Sequence, residues 1–127
     1  FVFQRSGRKL GLLTDLGSIT AQVVEAYQAC DGLLVEANHD PVMLACGPYP
    51  ASLKRRVAGQ WGHLSNAQTQ SLLQQLDISR LQHLVIGHIS QTNNSICRAA
   101  AALEGILPHF PIHYACQNQG FDWLTLQ

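Results

Sequence analysis

A chain of 127 residues, 46% hydrophobic and 13% charged, has enough apolar material for one core and too much of it for a disordered segment. Eight basic residues balance eight acidic ones, so no global field draws the chain to nucleic acid or membrane, and a polyanion would have to be met by a local patch. No apolar run is as long as the roughly 18 residues of a membrane span, and no signal-peptide pattern opens the chain, which predicts a cytoplasmic location without membrane contact.

Phe1-Val2-Phe3 and Leu10 to Leu13 read as the arms of a hairpin that turns through Ser6-Gly7 and opens mid-strand, as if cut from something longer. The second arm ends at Thr14-Asp15. Ser18 is placed to cap a helix whose apolar positions Ile19, Val23, Val24 and Tyr27 share one face. Gly32 to Val35 is a second buried strand, and it ends on the polar group Glu36, Asn38, His39, Asp40. From Pro41 to Pro50 three prolines and Gly47 predict an irregular loop with at most a helical turn around Val42 to Cys46. Ser52 to Val57, which contains Lys54-Arg55-Arg56, predicts a short helix. Trp61-Gly62-His63-Leu64 then leads into a capping box, Ser65 with Gln68, that opens a helix burying Leu72, Leu73 and Leu76. Leu84 to Ile86 is a third buried strand. It delivers His88 just past Gly87, where the backbone is expected to turn. A helix from about Ser95 carries Ile96, Ala99, Ala100 and Leu103 on one stripe and stops at Gly105. Pro111 to Cys116 is a last β-like run, and Gly120 to Leu126 reads as a terminal strand or edge. The four cysteines (Cys30, Cys46, Cys97, Cys116) lack CxxC spacing and read as reduced, buried thiols.

Strands alternating with helices give an α/β class: βαβ crossovers on one side of a mixed sheet, in one domain. Three strands then end in Asp15, in Glu36 to Asp40 and in His88, while a helix entrance carries His63, so these groups converge on one sheet edge, where open α/β sheets place ligands. Carboxylates and imidazoles are the donors that bind borderline divalent ions such as zinc or manganese. Each residue alone also has a plain structural reading: Asp15 as a helix cap, His63 as a turn histidine, Glu36 as an ion-pair partner, His88 as a histidine satisfied by a backbone carbonyl, Lys54 to Arg56 as a solvated helix face.

Together the motifs form a recognisable series. TDLG at Thr14 to Gly17, EANHD at Glu36 to Asp40, GPYP at Gly47 to Pro50 followed by SLKRR, GHLSN at Gly62 to Asn66 and GHISQTNN at Gly87 to Asn94 resemble, in order and spacing, metallo-β-lactamase-fold proteins of the WalJ (YycJ) type, relatives of ribonuclease Z. The resemblance implies that residues 1–127 are the C-terminal, βαβ-rich half of an αββα sandwich, with the N-terminal half and its HxHxDH motif absent. It implies a metal-dependent phosphodiester hydrolase, a DNA or RNA nuclease, using two divalent ions (zinc or manganese) in the complete protein, with weak binding or none in this half alone. Asp15 and His88 would be metal ligands; His63 and Glu36 would be the catalytic pair that moves a proton to the leaving oxygen. Ser90, Asn93 and Asn94 would lie by the scissile phosphate, with His39, Lys54 and Arg55 as further substrate contacts. The partners implied are nucleic acid, the missing half and a second copy of the chain. The alternatives are an ester or thioester hydrolase of the same fold and a non-catalytic binding or dimerisation module.

Overall fold

A computed structural model describes residues 1–107 and 110–127. Its centre is a five-stranded mixed sheet in the order β1-β2-β3-β4-β5. The elements are β1 (Val2–Arg5), β2 (Arg8–Leu13), α1 (Ala21–Ala26), β3 (Gly32–Glu36), α2 (Pro41–Cys46), α3 (Ala51–Ala58), α4 (Asn66–Gln75), β4 (His83–Gly87), α5 (Ile96–Leu103) and β5 (Ile112–Tyr114). β1 and β2 form the antiparallel hairpin; β2 to β5 run parallel and are joined by helical crossovers. This is the α/β class with a mixed sheet that the alternation of elements predicts.

The strands alternate with period two. Leu13, Leu33, Val35, Leu84 and Ile86 pack with Tyr27, Leu72, Leu73, Leu76 and Leu103 in one core. The intervening positions, Leu10, Leu12, Leu34 and Val85, look the other way, into a cavity of about 550 Å³ lined also by Phe3 and by the C-terminal residues Phe121, Trp123, Leu124 and Leu126. Among the described residues no helix residue lines that cavity, and the helices pack on the other face. Among the described residues no helix is long and apolar enough to cross a membrane.

Several local expectations are corrected. α1 is capped by Thr20, whose Oγ1 accepts from Val23 N at 3.3 Å, rather than by Ser18. The proline-rich stretch holds a true helix, α2, because Asp40 Oδ1 caps Met43 N at 2.8 Å and Pro41 sits at the first helical turn, where its missing N–H is harmless. The capping box of α4 has both of its reciprocal bonds. On α5, Ala99 and Leu103 are buried, but Ile96 is exposed. Only Cys30 of the four cysteines is buried; all are free thiols, and Cys46 and Cys97 lie on exposed faces of short helices. Gly120 to Leu126 forms no strand. That segment crosses the helix-free face and is tied down by Gln82, which bonds both Gln127 N and Gln127 O, and by His83 Nε2 against Thr125 O.

Candidate active site

The parallel strands stop side by side. Leu13 pairs with Val35 and Val35 with Ile86; one rung further, Glu36 pairs with Gly87. Just beyond, two residues enter the left-handed region, Asp15 at φ 57° and His88 at φ 52°. Such conformations cost about 1–3 kcal/mol each away from glycine and persist only where the surroundings hold them. The turn expected at Gly87 thus falls on His88 itself, while Gly87 remains in the strand. What holds His88 is the polar continuation of β3. Ala37 N bonds Gly87 O at 3.2 Å, Asn38 Nδ2 bonds His88 O at 2.9 Å, and Ser90 N bonds Asn38 O at 2.9 Å. The Asn38 side chain replaces the ladder partner that the bent backbone gives up.

Glu36 is the hub. It is 0% exposed, and its desolvated carboxylate needs full hydrogen bonding to be tolerated. Oε1 accepts Leu16 N at 2.8 Å and Leu64 N at 3.2 Å; Oε2 accepts His63 Nδ1 at 3.1 Å and His88 Nδ1 at 2.9 Å. Because the carboxylate presents only lone pairs, both imidazoles carry their proton on Nδ1, which frees each Nε2 for another partner. The Glu36 backbone is fixed as well, since Thr69 Oγ1 donates to its carbonyl at 2.7 Å.

Asp15 stands in front, with its side chain 72% exposed and Oδ1 3.7 Å from His63 Nδ1. One donor atom each from Asp15, His63 and His88 lies within 4.8 Å of the others. A carboxylate and two imidazoles suit a borderline divalent ion. A buried carboxylate behind metal-facing histidines is the arrangement that fixes ring orientation and tautomer in metal sites. The donor set therefore fits a metal.

Two glycines allow this convergence. A Cβ on Gly17 would meet Gly59 O and Gly62 N at 2.4 Å; one on Gly62 would meet Val57 O at 2.1 Å. The turn after β2 thus lies directly on the loop before α4, which folds back on α3 through Gly62 N to Gly59 O and His63 N to Val57 O, both 2.9 Å. That backbone contact brings Asp15 to His63.

The remaining expected residues separate. Ser90 is half-buried, and its Oγ accepts Asn93 N at 3.1 Å. His39 and Asn93 are buried, and among the described residues His39 Nδ1 and Asn93 Oδ1 lack hydrogen-bond partners. Burial, with His63 close by, holds His39 below the usual histidine range. Substrate contact is a poor fit for Asn94, whose amide is spent in the interior: Nδ2 donates to Ala37 O at 2.8 Å and Asn66 Oδ1 at 2.7 Å, and Oδ1 accepts from Asn66 Nδ2 and Ser95 N. Lys54 Nζ donates to Ala45 O at 2.6 Å, closing the α2–α3 connection, while Arg55 is exposed on the last turn of α3. Sequence reasoning missed Asn38 as the support of His88 and Asn66 as the partner of Asn94. Only their positions, next to a strand end and inside a helix's first turn, pointed to them.

No family model matches the chain, and no solved structure does. Among curated proteins it is similar to exodeoxyribonuclease YycJ of Bacillus anthracis, 31% identical over 94 residues, which is 74% of this chain and 36% of that protein. It is also similar to exodeoxyribonuclease WalJ of two Streptococcus pneumoniae strains, 34% identical over 92 residues, 72% of this chain and 34% of the relative. The chain thus spans about a third of the length of the curated relatives it matches.

Proposed function

The chain is a stretch of WalJ (YycJ)-type sequence, and we propose that it supplies one side of a metal-dependent phosphodiesterase site that acts on nucleic acid, as its relatives' names suggest. The observation that carries this reading is the buried Glu36 carboxylate, which holds two imidazoles by Nδ1 next to the exposed Asp15. Asp15 and His88 would hold a divalent ion, zinc or manganese, with a second ion completed by residues outside this chain. Such ions neutralise charge on phosphoryl oxygens and lower the pKa of bound water. His63, backed by Glu36, would deliver the proton to the leaving oxygen. Glu36 stays buried and stabilises the imidazolium that precedes that delivery. Among the described residues the Asp15 side chain accepts no backbone hydrogen bond that would turn it from the site.

A specific observation favours a variant of this scheme. His63 lies in the same donor cluster as Asp15 and His88, so it could be a third ligand instead. The domain reading follows from the other face of the sheet: Leu10, Leu12, Leu34 and Val85 line an apolar cavity without a helix over it, where the first half of a metallo-β-lactamase-type sandwich would pack. The test is cleavage of end-labelled DNA and RNA by the full-length protein with zinc, with manganese and with chelator. Metal-dependent cleavage of phosphodiesters supports the reading. Hydrolysis of carboxylic or thioesters with no phosphodiester cleavage would replace it with the alternative, and no hydrolysis at all would favour a docking module.

A further inference from the structure

Beyond Glu36 the chain of β3 runs on, and both histidine-bearing loops lie along it. On one side Asn38 N donates to Leu64 O at 2.9 Å and Asn66 N to His39 O at 3.0 Å, and His39 forms a parallel bridge with Ser65. On the other side Ser90 N donates to Asn38 O and Asp40 N to Asn93 O, both at 2.9 Å. Residues 37–40 are thus a spine between the loop that carries His63 and the loop that carries His88. These bonds fix each loop against the spine; they do not by themselves join one outer loop to the other.

Asn66 and Asn94 supply that join. Asn66 stands three residues after His63 and Asn94 six after His88, and both side chains are buried. Their amides bond reciprocally, Asn94 Nδ2 to Asn66 Oδ1 at 2.7 Å and Asn66 Nδ2 to Asn94 Oδ1 at 3.0 Å. Asn94 cannot turn over. Its Nδ2 also donates to Ala37 O at 2.8 Å and its Oδ1 accepts from Ser95 N at 2.9 Å, so a flip would set acceptor against acceptor and donor against donor. With Asn94 fixed, the facing side chain must offer one acceptor and one donor at the reach of an asparagine, and Asn66 offers both. Two leucines of similar size would fill the space and could slide, whereas paired buried amides are satisfied in one arrangement. What the pair adds is register between the loops. In the site itself both imidazoles meet one atom, Glu36 Oε2, with His63 Nδ1 at 3.1 Å, His88 Nδ1 at 2.9 Å and the ring centroids 5.0 Å apart. Two donors can share a single oxygen only while the loops that bear them keep a fixed separation.

We infer that Asn66 and Asn94 are positioning residues, a clasp that locks the His63 loop to the His88 loop and so fixes where the two imidazoles stand about Glu36. The role replaces the substrate contact expected for Asn94. It rests on the proposed reading of the site for what the histidines do, and on the hydrogen bonds alone for where they stand. Asn66→Asp exchanges one donor for an oxygen facing Asn94 Oδ1 and changes nothing else in size. Because a misplacement of about 1 Å can cost about a hundredfold in rate, this variant should lower kcat for phosphodiester cleavage by roughly ten- to a hundredfold and leave KM near its wild-type value. Loss of a substrate contact would raise KM instead.

The test uses the full-length protein. In the presence of chelator, NMR follows the Nδ1–H protons of His63 and His88, which hydrogen bonding to a carboxylate moves downfield of the backbone amides. In the wild type these protons should exchange with water within about tenfold of the rate of the Asn66 and Asn94 side-chain amide protons, since one opening releases them all. In Asn66→Asp at least one of the two should exchange more than about tenfold faster, in a protein that thermal melting shows to be folded. A folded Asn66→Asp protein that keeps wild-type exchange of both protons, or that keeps kcat and raises KM, refutes the clasp. Should that variant not fold, the wild type decides alone: imidazole protons that exchange more than about tenfold faster than the asparagine amides would show the loops opening while the pair stays closed, and the clasp falls. A wild type that protects these protons to the same degree but cleaves no phosphodiester with zinc or manganese overturns the nuclease reading and leaves the clasp standing.

Discussion

Glu36→Gln changes one atom and should disable the site. The wild-type carboxylate accepts from four N–H donors among the described residues: Leu16 N, Leu64 N, His63 Nδ1 and His88 Nδ1. A glutamine must turn its NH2 toward one pair. Facing the two backbone amides, it sets donor against donor in a fully buried place. Facing the histidines, it forces both rings to carry the proton on Nε2 and so removes the lone pairs a metal would take. The second orientation keeps the backbone bonds and exchanges two hydrogen bonds to a charged group, each contributing about 1.5–3 kcal/mol, for two neutral ones of about 0.5–1.5 kcal/mol, so the expected destabilisation is roughly 2–3 kcal/mol. Altered ring orientation should weaken metal affinity by about ten- to a hundredfold. Denaturant unfolding and calorimetric titration of the full-length protein with zinc measure both. A Glu36→Gln protein that unfolds at the wild-type midpoint and binds zinc with unchanged affinity would refute the hub, because no arrangement of an amide satisfies those four donors.

Three further outcomes follow from the geometry. His63→Ala in the full-length protein should reduce phosphodiester cleavage by roughly a hundredfold to ten-thousandfold while metal stoichiometry holds, if His63 moves the proton; loss of bound metal along with activity would make it a ligand, and wild-type cleavage would remove it from the site. Gly62→Ala should destabilise by about 1–3 kcal/mol or more, since its Cβ would stand 2.1 Å from Val57 O and the loop must lift; an unchanged melting point would show that the loop is not packed on α3 as described. The third concerns acid. The Lys9 backbone amide, with Arg80 and Arg8, holds the Asp31 carboxyl below the usual range. A depressed carboxyl contributes stability that is full above its unfolded pKa of about 3.9 and is lost as pH falls through the lower folded value. Asp31→Asn should therefore be less stable than the wild type at neutral pH, and the gap should close below about pH 4 in melting curves; a gap independent of pH would assign the loss to packing.

The buried strands were legible because Leu33 to Val35 and Leu84 to Ile86 are unbroken apolar runs with no polar residue to confuse the pattern. Their polar ends were legible for the same reason: Glu36 and His88 appear where the apolar run stops. The capping box at Ser65 and Gln68 was legible because its chemistry is local. What could not be read depended on approach between distant segments. Nothing local distinguishes Ser18 from Thr20 as the cap of α1; the choice depends on how the turn after Asp15 lies on the loop at Gly62. Asn94 is expected beside the scissile phosphate on the family resemblance, yet its amide is bonded to Asn66, 28 residues away, a partner nothing local in the sequence indicates. Cys46 and Cys97 sit in apolar surroundings along the chain, but helices of six and eight residues have two faces, and these thiols fall on the outer one.

The bonds that Glu36 makes also bear on how this protein folds. They join positions 20, 27, 28 and 52 residues away along the chain. None can form before β2, β3 and β4 are in register, because a slip of one residue would turn the carboxylate to the opposite face of the sheet. The site therefore assembles late and all at once, after long loops have been closed. In the native state the amides of Leu16 and Leu64, although they belong to loops, open only when that carboxylate lets go. Their hydrogen exchange should be as slow as that of the strands, and it would report on the integrity of the whole sheet edge.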